Sequence, residues 1–261
     1  MQHKTYTDIY DRRGGRYHEA MARWPAARSP EFRALAEVAN VQAEPSPLVV
    51  DVPSGGGYLQ GYLPSSARVI SVDPARNFLD SGTHQDDFQV VCAPHDSISL
   101  SDGCADYVLS LAGIHHLDDQ AAAVQEWFRL LRPGGTLVIG DAESGSATAR
   151  FLDGVVGRFN SMGYEGLYLD GDFKQVLLEA GYEAVDFGPR AYGWDFDSRR
   201  DMLDFCRTLF SMDLEPDDHT LLEAIESTVG FKETATGCSL NWELFFFRAQ
   251  RPVALSTATA D

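Results

Sequence analysis

Several short groups of side chains in this sequence are of the types that hold a nucleoside or move a proton. The run Asp51-Val52-Pro53-Ser54-Gly55-Gly56-Gly57 directly follows an apolar stretch. Glycines at such a strand-to-helix turn let a ligand approach the backbone, and a following helix N-terminus favours negative charge. Asp73 stands 22 residues after Asp51, at the end of a second apolar run. A carboxylate in that position can accept both hydroxyls of a ribose. His95-Asp96-Ser97 follows a third run, where a polar side chain can meet an adenine amino group. His115-His116 follows a fourth, and a neutral imidazole there can serve as general base for an acceptor hydroxyl or amine. Asp141, ending a fifth run, could orient that base or bind an acceptor amine. Each group also has a plainer reading, as a turn aspartate, a helix-entry histidine or a helix cap.

The elements that must position these groups follow a regular rhythm. LVVDV (48–52), RVISVD (68–73), DFQVVCA (87–93), DYVLSLAG (106–113) and TLVIGD (136–141) read as buried strands. EFRALAEVANV (31–41) and DQAAAVQEWFRLL have helical spacing, the latter stopping at Arg132-Pro133-Gly134-Gly135. Strands alternating with helices predict a parallel sheet covered on both faces. After Asp141 a short helix (173–182) feeds a strand over 183–187. Helices then start at Ser198, suited to an N-cap, and at Pro216, suited to a first turn and ending at Gly230. WELFFFRA (242–249) is the last strand, followed by a frayed tail.

Composition limits the function. The 261 residues carry 39 Asp+Glu against 21 Lys+Arg, a formal charge of −18, which disfavours a grip on nucleic-acid phosphates. A hydrophobic fraction of 44% supports a sizeable core. No apolar run reaches the ~20 residues of a membrane span, and the opening residues lack a signal-peptide pattern. Cys92, Cys104, Cys206 and Cys238 are widely spaced, and no metal site is expected. The chain therefore reads as a cytoplasmic protein handling a small molecule, with no nucleic-acid or membrane partner and an oligomeric state left open. Residues 1–33 run against the trend, with 7 Lys+Arg and 4 Asp+Glu. Tyr6, Tyr10, Arg13 and Tyr17 share one helical face there, interrupted by Gly14-Gly15, which suggests a broken helix or a hinged lid.

In order and spacing, DVPSGGG, VISVDP, HDS, ADYVLSLAGIHHL and LRPGGTLVIGD resemble the class I S-adenosylmethionine-dependent methyltransferases, specifically their bacterial small-molecule branch. A nicotinamide-binding Rossmann domain fits less well, because Gln60 stands where G-x-G-x-x-G needs a small residue. The resemblance implies a Rossmann-like α/β fold, a seven-stranded sheet of order 3-2-1-4-5-7-6 with the last strand antiparallel. Helices lie on both faces, with an added helical cap. Residues 1–44 would form an N-terminal lid and 45–252 the cofactor-binding domain, with helical insertions at about 142–172 and 190–238 and a tail at 253–261. The cofactor would be S-adenosylmethionine. Asp51 would lie near its methionine end with Gly55 and Gly57, Asp73 and Pro74 at the ribose, Asp96 and Ser97 beside adenine, and Leu111 on the pocket wall. Tyr10, Arg13 and Tyr17 would reach it from the lid. Pro53 departs from the family's usual glycine and removes a backbone donor. His115, His116 and Asp141 are the expected catalytic groups. The implied reaction is methyl transfer to an oxygen or nitrogen of a small molecule. Two alternatives share these motifs: a lyase or cyclase in which the cofactor's amino group attacks its own γ-carbon, and a non-catalytic cofactor-binding module.

Overall fold

The computed structural model describes residues 6–41, 45–80 and 89–253. Residues 1–5, the start of the expected third strand at 87–88 and the tail from 254 lie outside them. The strands are β1 (Leu48–Asp51), β2 (Arg68–Val72), β3 (Gln89–Val91), β4 (Ala105–Leu111), β5 (Leu131–Asp141), β6 (Glu183–Phe196), β7 (Phe231–Thr234) and β8 (Gly237–Gln250). Among the described residues they form an eight-stranded sheet of order β3-β2-β1-β4-β5-β8-β6, with β7 paired to β8. The first five run parallel, and β8 inserts antiparallel between β5 and β6. That is the expected order, with one added edge hairpin from β7.

Alternation along each strand builds two cores from one sheet. Val49, Leu109, Val138 and Phe246 face a cluster closed by α2 (Ser29–Ala39), α8 (Arg199–Leu209) and α9 (Asp218–Ser227). Their neighbours Val50, Val108, Leu137, Ile139, Phe245 and Phe247 face a second cluster with α4 (Gln120–Leu130) and α7 (Phe173–Glu179). Trp127 of α4 is fully buried there and donates its indole N–H to the His95 carbonyl at 3.1 Å. Asp119 caps α4, Ser198 caps α8 as its sequence suggests, and Asp217 caps α9.

Four expectations need correction. The first helix, α1 (Tyr6–Arg23), runs unbroken through Gly14-Gly15. Gly14 is required for contact, since a Cβ there would lie 2.9 Å from the Phe78 ring. The glycine loop is followed by a short 3₁₀ turn (Tyr58–Tyr62), not by a helix of useful length. The segment 190–238 is only partly helical, because β6 continues to Phe196 and pairs residue by residue with a lengthened β8. Alternating aromatic and small residues over 190–196 carry that extension. The helix expected from Pro216 begins at Asp218, behind its Asp217 cap. The remaining elements are α3 (Arg76–Asp80), α5 (Ala147–Arg150), a π-helical stretch (Phe151–Val156) and α6 (Gly157–Phe159). No helix among the described residues is long and apolar enough to cross a membrane.

Candidate active site

The carboxyl ends of β1, β2, β4 and β5 deliver Asp51, Asp73, Leu111 and Asp141 to one edge of the sheet. This is where open α/β sheets bind ligands. Two cavities lie there, both covered by α1. The first, about 470 Å³, runs along the glycine loop and is lined by Asp51, Ser54, Gly55, Leu111, Phe78 and the tyrosines of α1. The second lies toward β5 and β8 and includes His115, Asp141, Tyr164, Trp194 and Trp242.

In the first cavity, Asp73 is fully buried and accepts three hydrogen bonds. Gly55 N–H reaches Oδ2 at 3.0 Å, Ala75 N–H reaches Oδ1 at 2.9 Å, and the Tyr6 hydroxyl reaches Oδ2 at 2.9 Å. Burial outweighs these bonds and pushes the Asp73 carboxyl up to about 7. Burial, reinforced by Asp73, also raises Asp51 well above the carboxylate range. Tyr10 lies flat on Phe78, with ring centroids 4.9 Å apart and planes inclined by 8°. Tyr6 meets His95 edge-on at 4.7 Å. Desolvation pulls His95 down to about 4, so its ring stays neutral. Farther along α1, His18 bonds to the Tyr58 hydroxyl at 2.7 Å and the Phe78 carbonyl at 2.9 Å.

The donor set suits an adenosine. Asp73 offers a carboxylate to a diol, Phe78 an aromatic face to a base, and Ser54 a buried hydroxyl with no partner. Gly55 adopts a positive φ of 56°, and a Cβ there would come within 3.2 Å of Phe78. The tyrosines of α1 make the same two contacts, a hydroxyl on Asp73 and a flat ring on Phe78.

The second cavity holds the proton-transfer groups. His115 follows β4 in a 3₁₀ turn (Ile114–His116), and its Nδ1–H donates to Asp141 Oδ1 at 2.6 Å. The backbone N–H of His115 reaches the other Asp141 oxygen at 3.2 Å. Asp141 thus fixes the ring and its tautomer, leaving Nε2 as an acceptor opposite the Tyr164 hydroxyl at 2.8 Å. His116 lies alongside, its Nε2 3.0 Å from the Tyr10 hydroxyl and 3.3 Å from the same Tyr164 hydroxyl. Burial, with His115 next, drives its pKa well down, so it stays neutral.

Other anticipated residues are distributed unevenly. Tyr10 and Tyr17 border both cavities. Arg13 borders the second cavity, bonding Asn160 Oδ1 at 2.6 Å and the Gly163 carbonyl at 2.9 Å. Gly57, with φ 73°, ends the loop, and Pro74 is half-buried beyond Asp73. Asp96 and Ser97 are exposed, while buried His95 faces Tyr6. The ring of Pro53 packs on Gly113, where a Cβ would come within 2.2 Å of it. Sequence reasoning missed Phe78, Asn160 and the buried Arg28–Glu31 pair. Only Phe78 had a signal, as the apolar residue of a turn after Asp73.

Comparison with known proteins agrees with this fold. Residues 50–139, about a third of the chain, match the family model of a methyltransferase domain. SpnF, a [4+2]-cyclase, superposes with a TM-score of 0.64 at 15% identity, covering 96% of this chain and 97% of its own. YcgJ of Bacillus subtilis gives a TM-score of 0.62 at 12% identity, covering 85% and 98%. A phosphoethanolamine N-methyltransferase of Haemonchus contortus, in complex with S-adenosylhomocysteine, gives 0.59 at 16% identity, covering 95% and 60%. Residues 50–139 are thus similar to a methyltransferase domain, and the chain shares the fold of these structures. In sequence it is 29% identical over 150 residues to an uncharacterized 37.1 kDa protein in transposon Tn4556 of Streptomyces fradiae. The match spans 54% of this chain and 43% of that relative.

Proposed function

We propose that the chain transfers the methyl group of S-adenosylmethionine to a hydroxyl of a small molecule held in the second cavity, with His115 as general base. When bound, the cofactor supplies an electrophilic methyl group activated by its sulfonium charge. Asp73 holds the ribose hydroxyls, Phe78 the adenine face, and Asp51 with the glycine loop the methionine end. Asp141 holds the His115 ring and stabilises it as it gains a proton. Tyr164, now bonded to Nε2, yields that position to the acceptor hydroxyl. The walls from α1, β6 and β8 exclude water.

The observation that carries this reading is the His115–Asp141 pair, with His115 lining a cavity that adjoins the glycine-loop cleft. The second cavity also favours methyl transfer over the alternative in which the cofactor cyclises on itself, a reaction that needs no acceptor space. Intact ligand-binding groups weigh against a purely binding role.

Kinetics of His115→Ala test the assignment. Loss of a general base should lower kcat on the order of 10²–10⁴-fold, with the cofactor dissociation constant near wild type. Asp141→Asn should show the same separation. An unchanged rate in folded His115→Ala under saturating substrates would remove His115 as the base.

A further inference from the structure

We propose that the second cavity takes an aromatic hydroxy acid: a flat ring system with one hydroxyl directed to His115 and a carboxylate received by Arg13 and Trp194. This rests on the methyl-transfer reading only for turnover. The shape and polarity of the cavity argue for it independently.

The apolar part of the wall is aromatic and layered. Trp194 of β6 and Trp242 of β8 stack with centroids 4.2 Å apart and planes inclined by 25°. Phe210, just past α8, continues the layer at 6.0 Å from Trp242 and 27° from its plane. Such a surface accepts a planar π-system in offset stacking better than it accepts a puckered aliphatic body.

The polar part is one-sided. Arg28 is neutralised by Glu31 and also bonds the Tyr17 hydroxyl. Asp141 is engaged by His115, and Thr148 donates to the Glu243 carbonyl at 2.8 Å. Two donors remain without a partner: the buried Nε–H of Arg13 and the indole N–H of Trp194. Arg13 is 8% exposed and Trp194 1%. The bonded oxygens of Arg13, on Asn160 and Gly163, are both uncharged, and among the described residues no carboxylate lies within ion-pair distance of it. A buried cation bonded only to neutral oxygens, with its Nε–H free, and a buried indole donor without a partner favour a ligand that brings acceptor oxygen with negative charge. The hydroxyl is required separately, because Nε2 of His115 is held as an acceptor and needs an O–H to face it.

Calorimetry on the full chain with S-adenosylhomocysteine present tests this without turnover. The probes are a set of hydroxynaphthoate isomers, 2-naphthol, 2-naphthoate and a saturated bicyclic alcohol of similar volume. At least one hydroxynaphthoate should bind tenfold or more tightly than 2-naphthol and 2-naphthoate, and the saturated alcohol should bind weakest. Arg13→Met and Trp194→Phe should each weaken the hydroxynaphthoate tenfold or more while leaving 2-naphthol within twofold. Trp194→Phe keeps the stacked ring, and thermal unfolding of each variant checks its fold. Equal binding of 2-naphthol, or preference for the saturated alcohol, would overturn the proposal. Labelled methyl appearing on an aliphatic alcohol would overturn it while keeping methyl transfer. Tight hydroxynaphthoate binding without methylation would do the reverse.

Discussion

Asp73 and His115 show how one fold gives two buried polar groups opposite tasks. Asp73 accepts only from neutral donors, so desolvation dominates and its carboxyl is pushed up to about 7. A pKa raised in the folded state means that the bound proton stabilises the free protein. That contribution is complete below the ordinary carboxyl range near 4 and disappears as pH rises through about 7. A ribose diol donates its hydrogen bonds to the ionised form. Affinity for S-adenosylhomocysteine should therefore rise with pH between about 5.5 and 7 and then level off, as calorimetry across that range will show. Asp73→Asn should bind more weakly, on the order of tenfold or more, and lose this slope. A pH-independent affinity in the parent protein would contradict the role given to Asp73. Both aspartates were legible in the sequence because each ends a β-branched run. Asp141 was also legible as a group that could orient the histidine base, and the β4–β5 pairing brings it to His115. The Tyr164 hydroxyl on Nε2 was not legible, because it comes from a segment distant in sequence.

At the scale of elements, α1 is the part whose role the structure changes most. Its tyrosine stripe and local positive charge were visible in the sequence, and they suggested a hinged lid. The helix instead passes straight through Gly14-Gly15, with Gly14 against Phe78, Tyr6 on Asp73 and Tyr10 on Phe78. With Asp73 and Phe78 holding the cofactor as proposed, cofactor and α1 would compete for the same two contacts. Removing the Tyr6 hydroxyl should strengthen cofactor binding severalfold, since one hydrogen bond to a carboxylate no longer has to be exchanged. Calorimetry of Tyr6→Phe checks this, and weaker binding would show that the tyrosine belongs to the cofactor site. Saturating S-adenosylhomocysteine should also speed hydrogen exchange in the first two turns of α1. Unchanged exchange there would mean that the cofactor binds without moving them. The parallel strands were readable because each is a continuous apolar run. The β6–β8 ribbon was not, because Gly188, Pro189 and Gly193 interrupt the first of its strands and hide its length.

At the scale of the molecule, the glycine-loop cleft and the second cavity are built on different principles. The cleft comes from consecutive βα turns, so its residues appear in order along the chain and could be read from it. The cavity gathers α1, the loop after α6, the end of α8, β6 and β8, and Asn160 ties the first three together. Its side chain accepts from Arg13 and donates to the Phe210 and Ser211 carbonyls at 3.0 and 2.8 Å. Nothing in local spacing announces a site assembled from such distant segments. A net charge of −18 surrounds it, yet Arg13 and Arg28 are buried at its wall. Glu31 neutralises Arg28, so a ligand carboxylate of the kind proposed would be received by Arg13 and not drawn in by the overall field.

The central claim, transfer of a methyl group to an acceptor oxygen, is tested most directly by supplying methyl-labelled S-adenosylmethionine with and without hydroxynaphthoate acceptors and identifying both products. The account predicts label on the acceptor oxygen and release of S-adenosylhomocysteine only when acceptor is present, with both lost in His115→Ala. Methylthioadenosine released from the cofactor alone, with no labelled acceptor, would contradict it.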